Sequence, residues 1–202
     1  MKQLIIIGAS GHGKVVADIA KINGYENILF LDDNDKAFEC DGYRVVGKVS
    51  EFVNFDDDFF VAIGNAGTRQ KIQLQLENAN KTVVALVHPN AVIADNVKIG
   101  KGTVVMAGVV INPATTIGKG CIINTCSSVD HDNAIGDYVH ISVGAHTAGT
   151  VKIGDKTWLG IGAVVSNNLS ICENCIVGAG AVVVNNITES GIYLGVPAIK
   201  KE

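Results

Sequence analysis

Basic clusters are missing from this sequence: 16 Lys and Arg face 20 Asp and Glu, for a formal net charge of −4. Without a positive footprint to meet a phosphate backbone, nucleic acid is not expected as a partner. Long apolar runs are missing too, and nothing approaches the roughly 20 residues of a membrane span. The N-terminal run from Leu4 to Ile7 is too short for the apolar region of a signal peptide. A cytosolic protein with no membrane insertion is therefore expected. Five cysteines fit a reducing compartment. No G-x-S-x-G or comparable nucleophile motif occurs, which disfavours covalent catalysis.

Aliphatic residues and glycine are plentiful: hydrophobic residues make up 48% of the chain, and there are 23 glycines. Their order is periodic. From Val87 through Ile93, Ile99, Val105 and Ile111 to Val183, an aliphatic residue recurs at every sixth position, with Thr147 the exception. Four residues after each comes a second, mostly small residue, such as Ala91, Thr103, Cys121, Ser127 and Asn133. Six fits neither a helix of 3.6 residues per turn nor an alternating strand. It fits a parallel β-helix in which each hexad is a short strand plus a turn. Ile-Gly recurs at Ile99, Ile117, Ile135 and Ile153, so one coil should be three hexads and the helix three-sided. In that register Lys119 stacks against Asp137. Cys121 and Cys175 share an interior column, whereas Cys172 is expected to point elsewhere. Flat sides bearing exposed aliphatics suit a trimer closed by one repeated patch, and Trp158 should face outward for that contact or a cofactor.

The first 84 residues follow another rule. Gln3 to Ile7 reads as a strand, Gly8 to Gly13 as a glycine-rich turn, and Lys14 to Asn23 as a helix. Strands at Ile28–Leu31, Phe59–Ile63 and Lys81–Val87, with a helix over Thr68–Glu77, complete a small parallel α/β unit. Two domains are thus expected, 1–84 and 85–202. The first turn is G-x-x-G-x-G, not the dinucleotide fingerprint G-x-G-x-x-G. Glycines still let a phosphate approach a helix N-terminus, and Asp32-Asp33 at the second strand's end can bond a ribose. A tight turn without ligand is the alternative. Unbroken hexads leave no inserted loop for an acceptor pocket on the solenoid. Recognition of the substrate is therefore assigned to the N-terminal unit, and chemistry to the solenoid surface.

Among the histidines, His131 stands between Asp130 and Asp132 at a turn. A neighbouring carboxylate orients an imidazole and raises its basicity, as a general base near neutral pH requires. The same residues also read as an exposed turn histidine among solubilising acids. A zinc site is the other reading, but His131, His140 and His146 share no column, so they could converge only across a subunit boundary.

Ile7-Gly8-Ala9-Ser10-Gly11-His12-Gly13, Leu31-Asp32-Asp33, Ala62-Ile63-Gly64-Asn65, the hexads around His131-Asp132 and Gly195-Val196-Pro197-Ala198 occur together and in order. Over its whole length the chain resembles the bacterial sugar acetyltransferases of the PglD-like and NeuD-like hexapeptide-repeat type. The first of these N-acetylate UDP-4-amino sugars in bacillosamine synthesis; the second O-acetylate sialic acid; perosamine N-acetyltransferases are relatives. The resemblance implies a left-handed parallel β-helix, preceded by a Rossmann-like α/β domain and assembled as a homotrimer. It implies acetyl-CoA as co-substrate, held between neighbouring helices, and no metal. Carried over by motif, His131 is the general base and Asp132 its acidic partner. The bacillosamine enzymes have glutamate there, so either Asp132 or Asp130 could orient the ring. His140, Gly149, Ile161 and Ala179 match cofactor-contacting positions. Ser10, Gly11, His12, Asp32, Asp33 and Gly64 match the nucleotide-sugar pocket. N-acetyl transfer to a nucleotide-linked amino sugar is the favoured function. O-acetyl transfer to a sugar hydroxyl, a non-catalytic nucleotide-sugar scaffold and a zinc hydratase are the alternatives.

Overall fold

The N-terminal apolar run becomes the central strand of a parallel sheet. β1 (Gln3–Ile7) is flanked by β2 (Asn27–Leu31) and β5 (Asp58–Val61), all parallel. The full order is β3-β4-β2-β1-β5-β6, where β3 is Glu39–Cys40, β4 Tyr43–Gly47 and β6 Thr82–Val83. Strands covered on both faces read as unbroken apolar runs, which is why Leu4–Ile7 lacks alternation. α1 (Gly11–Ile22) buries Val16, Ala17, Ile19 and Ala20, the i, i+3, i+4 stripe of an amphipathic helix. α2 (Ala66–Asn78) starts at Asn65, whose side chain accepts the Thr68 N–H at 2.9 Å. Such a cap contributes about 1 kcal/mol. Ile5, Ile7, Leu31, Phe59, Ile72 and Leu76 form part of the core.

The computed structural model describes residues 2–202, and the chain divides into two units, 1–89 and 90–202. Within the first unit three expectations need correction. α1 begins at Gly11 instead of Lys14, because the glycines form its first turn. The strand expected over Lys81–Val87 is interrupted: Thr82–Val83 joins the sheet, while Leu86–Val87 is separate, with Val87 bonded through both backbone groups to the Asn23 side chain. The β3–β4 hairpin was not expected. Its two-residue turn, Asp41-Gly42, has both φ values positive, at 53° and 83°, the mirror-image turn that Asp-Gly favours between antiparallel strands.

The second unit is a parallel β-helix with three sides. The first side carries Val104–Val105, Ile122–Ile123, His140–Ile141 and Trp158–Leu159. The second carries Val110–Ile111, Ser128–Val129, His146–Thr147 and Val164–Val165. The third carries Thr116–Ile117, Ala134–Ile135, Lys152–Ile153 and Ser170–Ile171. Partners such as Val104↔Ile122 and Ala134↔Lys152 stand one coil apart, so three hexads make a coil. The second residue of each of these rungs, Thr147 excepted, is the hexad aliphatic, and Val105, Ile123, Ile141 and Leu159 are fully buried.

The expected Lys119–Asp137 stack is present, but the Asp137 carboxylate accepts the backbone N–H of Lys119 at 2.9 Å; Asp155 does the same for Asp137 N–H at 2.8 Å. Cys121 and Cys175 are fully buried in their column. Cys172 does not point away as expected. Its sulfur lies 3.4 Å from that of Cys175, because the turn through left-handed Asn174 (φ 57°) folds the segment back on itself.

Thr147 interrupts the aliphatic series at a cost. It is 2% exposed, and its hydroxyl oxygen has no hydrogen-bond partner among the described residues. A buried, unmade hydrogen bond destabilises by about 1–3 kcal/mol. Thr147→Val keeps the shape and removes that group, so its urea midpoint should rise by the equivalent of about 1 kcal/mol.

Candidate active site

His131 occupies the corner between the second and third sides, in the turn that joins Ser128–Val129 to Ala134–Ile135. Asp132 takes the left-handed backbone conformation there, with φ 58°. This conformation turns the chain and leaves the carboxylate beside the preceding ring. Asp132 Oδ2 lies 2.7 Å from His131 Nδ1. An ionised carboxylate only accepts, so Nδ1 carries the proton and Nε2 presents a lone pair. Asp130 has another task. Its Oδ1 accepts the His131 backbone N–H at 2.8 Å and the Asn112 amide at 2.7 Å. The Asn112 bond, followed by that of His131, holds the Asp130 carboxyl below its usual range. Of the two acids, Asp132 therefore orients the ring and Asp130 orients the backbone.

The hydrogen bond to Asp132, followed by the charge of Asp130, pushes the His131 pKa above its ordinary value of 6.5. The imidazole is 56% exposed, open to a second molecule. Gly149 stands one coil further along the same column. A methyl group there would lie 2.5 Å from His131 Cε1 and 2.6 Å from Nε2, so the ring needs the glycine's vacant side. Gly149, expected among cofactor contacts, packs against the imidazole.

His140 is on the first side, across the triangular coil from the His131 corner. Its ring stacks on Trp158 with centroids 5.7 Å apart and planes within 2°. The Asn124 side-chain nitrogen meets His140 Nε2 at 3.1 Å, and the Trp158 indole donates to Ser142 Oγ at 2.6 Å. Ile161, 62% exposed, lies at the corner between the first and second sides, in one column with Val143 and Ala179. Beside them Gly144, Gly162 and Gly180 form a second column, with φ of 60°, 66° and 66° and open space where each side chain would project. Other corners place Thr150, Lys156 or Asn168 at positive φ. Backbone conformation alone therefore does not demand these glycines; together they make a bare ledge next to an apolar strip. A single chain thus carries the expected solenoid residues in two separate groups. Among the described residues, no three His, Cys, Asp or Glu side chains converge as a metal would require.

The other predicted residues gather at the C-terminal ends of β1, β2 and β5, where parallel sheets bind ligands. Ser10 precedes α1 in extended conformation, and its side chain makes no capping bond. Asp32 Oδ2 accepts the Ala9 N–H at 2.7 Å and so ties the glycine loop to β2; Asp33 Oδ1 accepts the Val49 N–H at 3.0 Å. Both carboxylates therefore have backbone partners already. Gly11 and Gly64 face open space, whereas a methyl at Gly13 would overlap the Gly8 carbonyl. Burial, and then the Arg69 guanidinium, lower the His12 pKa to about 4, so this ring is neutral at pH 7. Its buried Nε2 has no hydrogen-bond partner among the described residues. Arg69, itself buried, donates to the Ile63 and Gly64 carbonyls at 2.7 Å. A cleft of about 440 Å³ beside Asp33 is lined by Ser50, Phe52, Lys71 and Gln75. Sequence reasoning did not single out Asn112, Asn133, Val143 or the glycine ledge. Asn112 and Val143 stand one coil before Asp130 and Ile161, whereas Asn133 and the ledge glycines carried no such spacing to a chosen residue.

Models of two protein families match the chain: the PglD N-terminal domain over residues 3–76, and the bacterial transferase hexapeptide (six repeats) over 150–185. The acetyltransferase domain of PglB from Neisseria gonorrhoeae FA1090, solved with acetyl coenzyme A, is 35% identical, with a TM-score of 0.96 over 99% of each chain. The chain belongs to the PglD-like hexapeptide-repeat acetyltransferases. As in that family, the helix of this PglD-like chain is left-handed. PerB from Caulobacter crescentus, solved with CoA and GDP-perosamine, is 35% identical with a TM-score of 0.96, covering 100% of this chain and 98% of that one. The UDP-N-acetylbacillosamine N-acetyltransferase of Bacillus subtilis (strain 168) is 35% identical over 113 residues, 53% of this chain and 52% of the relative. The GDP-perosamine N-acetyltransferase of Escherichia coli O157:H7 is 35% identical over 129 residues, 61% and 57% respectively. The chain thus spans little more than half the length of these two curated relatives. Among the described residues, no helix of this PglD-like acetyltransferase is long and apolar enough to cross a membrane.

The Asp132 contact has a direct readout that needs no substrate. An NMR titration should place the His131 pKa above 6.5 in the wild type, with Asp132→Asn bringing it down. An unchanged value in the variant would remove Asp132 as the orienting acid.

Proposed function

We propose that this chain transfers an acetyl group from acetyl-CoA to the amine of a nucleotide-linked amino sugar, with His131 as general base. The observation that carries the reading is the His131–Asp132 pair, 2.7 Å apart, which leaves Nε2 as an exposed acceptor. The named activities of the relatives support the substrate class, and the bacillosamine relative favours a UDP-linked 4-amino-4,6-dideoxy sugar. The ledge of Gly144, Gly162 and Gly180 beside Val143, Ile161 and Ala179 fits an extended pantetheine arm: bare backbone on one flank, apolar side chains on the other.

Acetyl-CoA supplies an activated thioester carbonyl. The sugar amine forms the new C–N bond as the C–S bond breaks. Nε2 of His131 takes the proton that the amine loses and returns it to the departing CoA sulfur. Backbone N–H groups, with His140 beside them, face the negative charge that develops on the carbonyl oxygen. Since His131 and His140 lie on opposite parts of one coil, the site requires the His131 corner of one protomer and the His140 side with its ledge from the next. A homotrimer meets that need by repeating one contact. In the N-terminal unit, Ser10, Gly11, His12, Asp32, Asp33 and Gly64 hold the nucleotide. There His12 serves as a neutral hydrogen-bonding group, not as a cation. Five free thiols fit a cytosolic enzyme.

An assay of acetyl-CoA consumption against UDP-, GDP- and dTDP-amino sugars and sialic acid tests the substrate class; turnover with sialic acid alone would make it an O-acetyltransferase. His131→Ala should lower kcat by about 10²–10⁴-fold and leave CoA affinity nearly unchanged. Near-normal turnover would refute the base. Gly162→Asn keeps a residue type that tolerates positive φ but fills the ledge. It should raise KM for acetyl-CoA about tenfold with little effect on KM for the sugar, and an unaltered KM would move the cofactor elsewhere.

A further inference from the structure

We infer that Asn133 is a positioning residue, holding the turn that presents His131 from inside the helix. Asn133 is 2% exposed and sits in the small interior position of its hexad, where Val151 stands one coil further on. Threonines at other interior positions donate one bond each, to the carbonyl fifteen residues ahead, and accept the backbone N–H one coil on. Thr103 Oγ1 donates to Gly118 O at 2.8 Å, Thr115 to Asp130 O at 2.7 Å, and Thr157 to Cys172 O at 2.9 Å. Asn133 Nδ2 makes that bond as well, to Ala148 O at 2.9 Å. It also reaches back to its own turn, to Asp130 O at 2.8 Å and His131 O at 3.2 Å. Those two carbonyls stand on either side of the His131 Cα, and Asp130 O is shared with the Thr115 hydroxyl, so the additional reach of an amide over a hydroxyl is directed at the turn of the base.

The rest of the turn is fixed from other directions. Asp130 and Asn112 hold the His131 N–H side, and the Thr150 N–H donates to His131 O at 2.9 Å. The ring itself lies against Gly149. With the backbone held and a wall one atom away, the ring has one way to keep Nδ1 on Asp132 while Nε2 faces outward. A shift of about 1 Å in a reacting group can cost on the order of a hundredfold in rate.

The inference rests on His131 being the base, and the experiment separates the two. Asn133→Thr retains the donor for Ala148 and removes the reach to Asp130 and His131. In the assembled enzyme it should fold with a thermal midpoint near that of the wild type, lower kcat about tenfold or more, and leave KM for acetyl-CoA within about twofold. The His131 pKa, read by NMR, should fall toward its ordinary value as the Asp132 contact loosens. Gly149→Ala should give the same pattern from the opposite side. Asn133→Cys is a second variant should threonine fold poorly, since Cys121 already fills an equivalent position with its sulfur 3.1 Å from Gly136 O. Thr103→Val deletes two interior bonds remote from the base and should leave kcat per folded enzyme unchanged. If His131→Ala is inactive while folded Asn133→Thr keeps wild-type kcat and His131 pKa, the positioning role is overturned and the base survives. An equal loss in Thr103→Val would overturn it too. If His131→Ala turns over normally, the base itself fails.

Discussion

Everything in the second unit depends on the backbone ladder between successive coils. Each rung donates to the carbonyl one coil ahead in a constant register: Val104 N–H to Cys121 O, Val110 N–H to Ser127 O, Thr116 N–H to Asn133 O. A buried backbone group left without its partner is costly, so the coil length is held at three hexads throughout. Columns follow from that constancy. A residue's neighbours in space are those one coil before and after it, and a single insertion would displace every column beyond it. The imidazole at 131 therefore meets position 149, and the ledge of glycines forms in one line.

The turns convert this regular frame into distinct corners. A residue with positive φ recurs every sixth position from Gly102 to Gly180. Left-handed backbone costs an ordinary residue about 1–2 kcal/mol, less when a short polar side chain bonds locally. Along the ledge the position is glycine, and the backbone stays bare. At the His131 corner it is Asp132, whose carboxylate is spent on the adjacent ring. One recurring conformation thus gives two different corners, an open ledge of bare backbone and a histidine held by a carboxylate. On one coil those two features stand at different corners.

Much of this was legible in the residues. Hexads stated the strand ends, the Ile-Gly interval stated the coil, and strand–helix alternation stated the sheet of the first unit. The hairpin at Glu39–Gly47 was missed although Asp41-Gly42 announces it, because its strands are too short for a periodic signal. The break after Val83 has no marker in Val84-Ala85, since nothing in an apolar run tells which residues will find a partner strand. The Cys172–Cys175 approach was misjudged for a related reason: hexad position gives the side of the coil but not how a turn folds back on itself. At the site, a histidine between two acids was readable from adjacency, but not which acid meets its ring. Asn112 and Asn133 were not, because their role lies in which carbonyl or carboxylate each amide reaches.

By itself the sequence determined the period, the number of sides, the identity of the polarised histidine and the α/β character of the first unit. These depend on local spacing and on burial of one aliphatic residue per hexad, which any folded form of the chain must respect. Only the tertiary structure decided that Asp132 orients the ring while Asp130 orients the backbone, that Gly149 exists to admit an imidazole, and that Asn133 grips the turn from within. Those outcomes depend on hydrogen-bond directions and distances of a few tenths of an ångström between residues a coil apart. Spacing brings such residues to the same corner, and only packing settles which atoms meet.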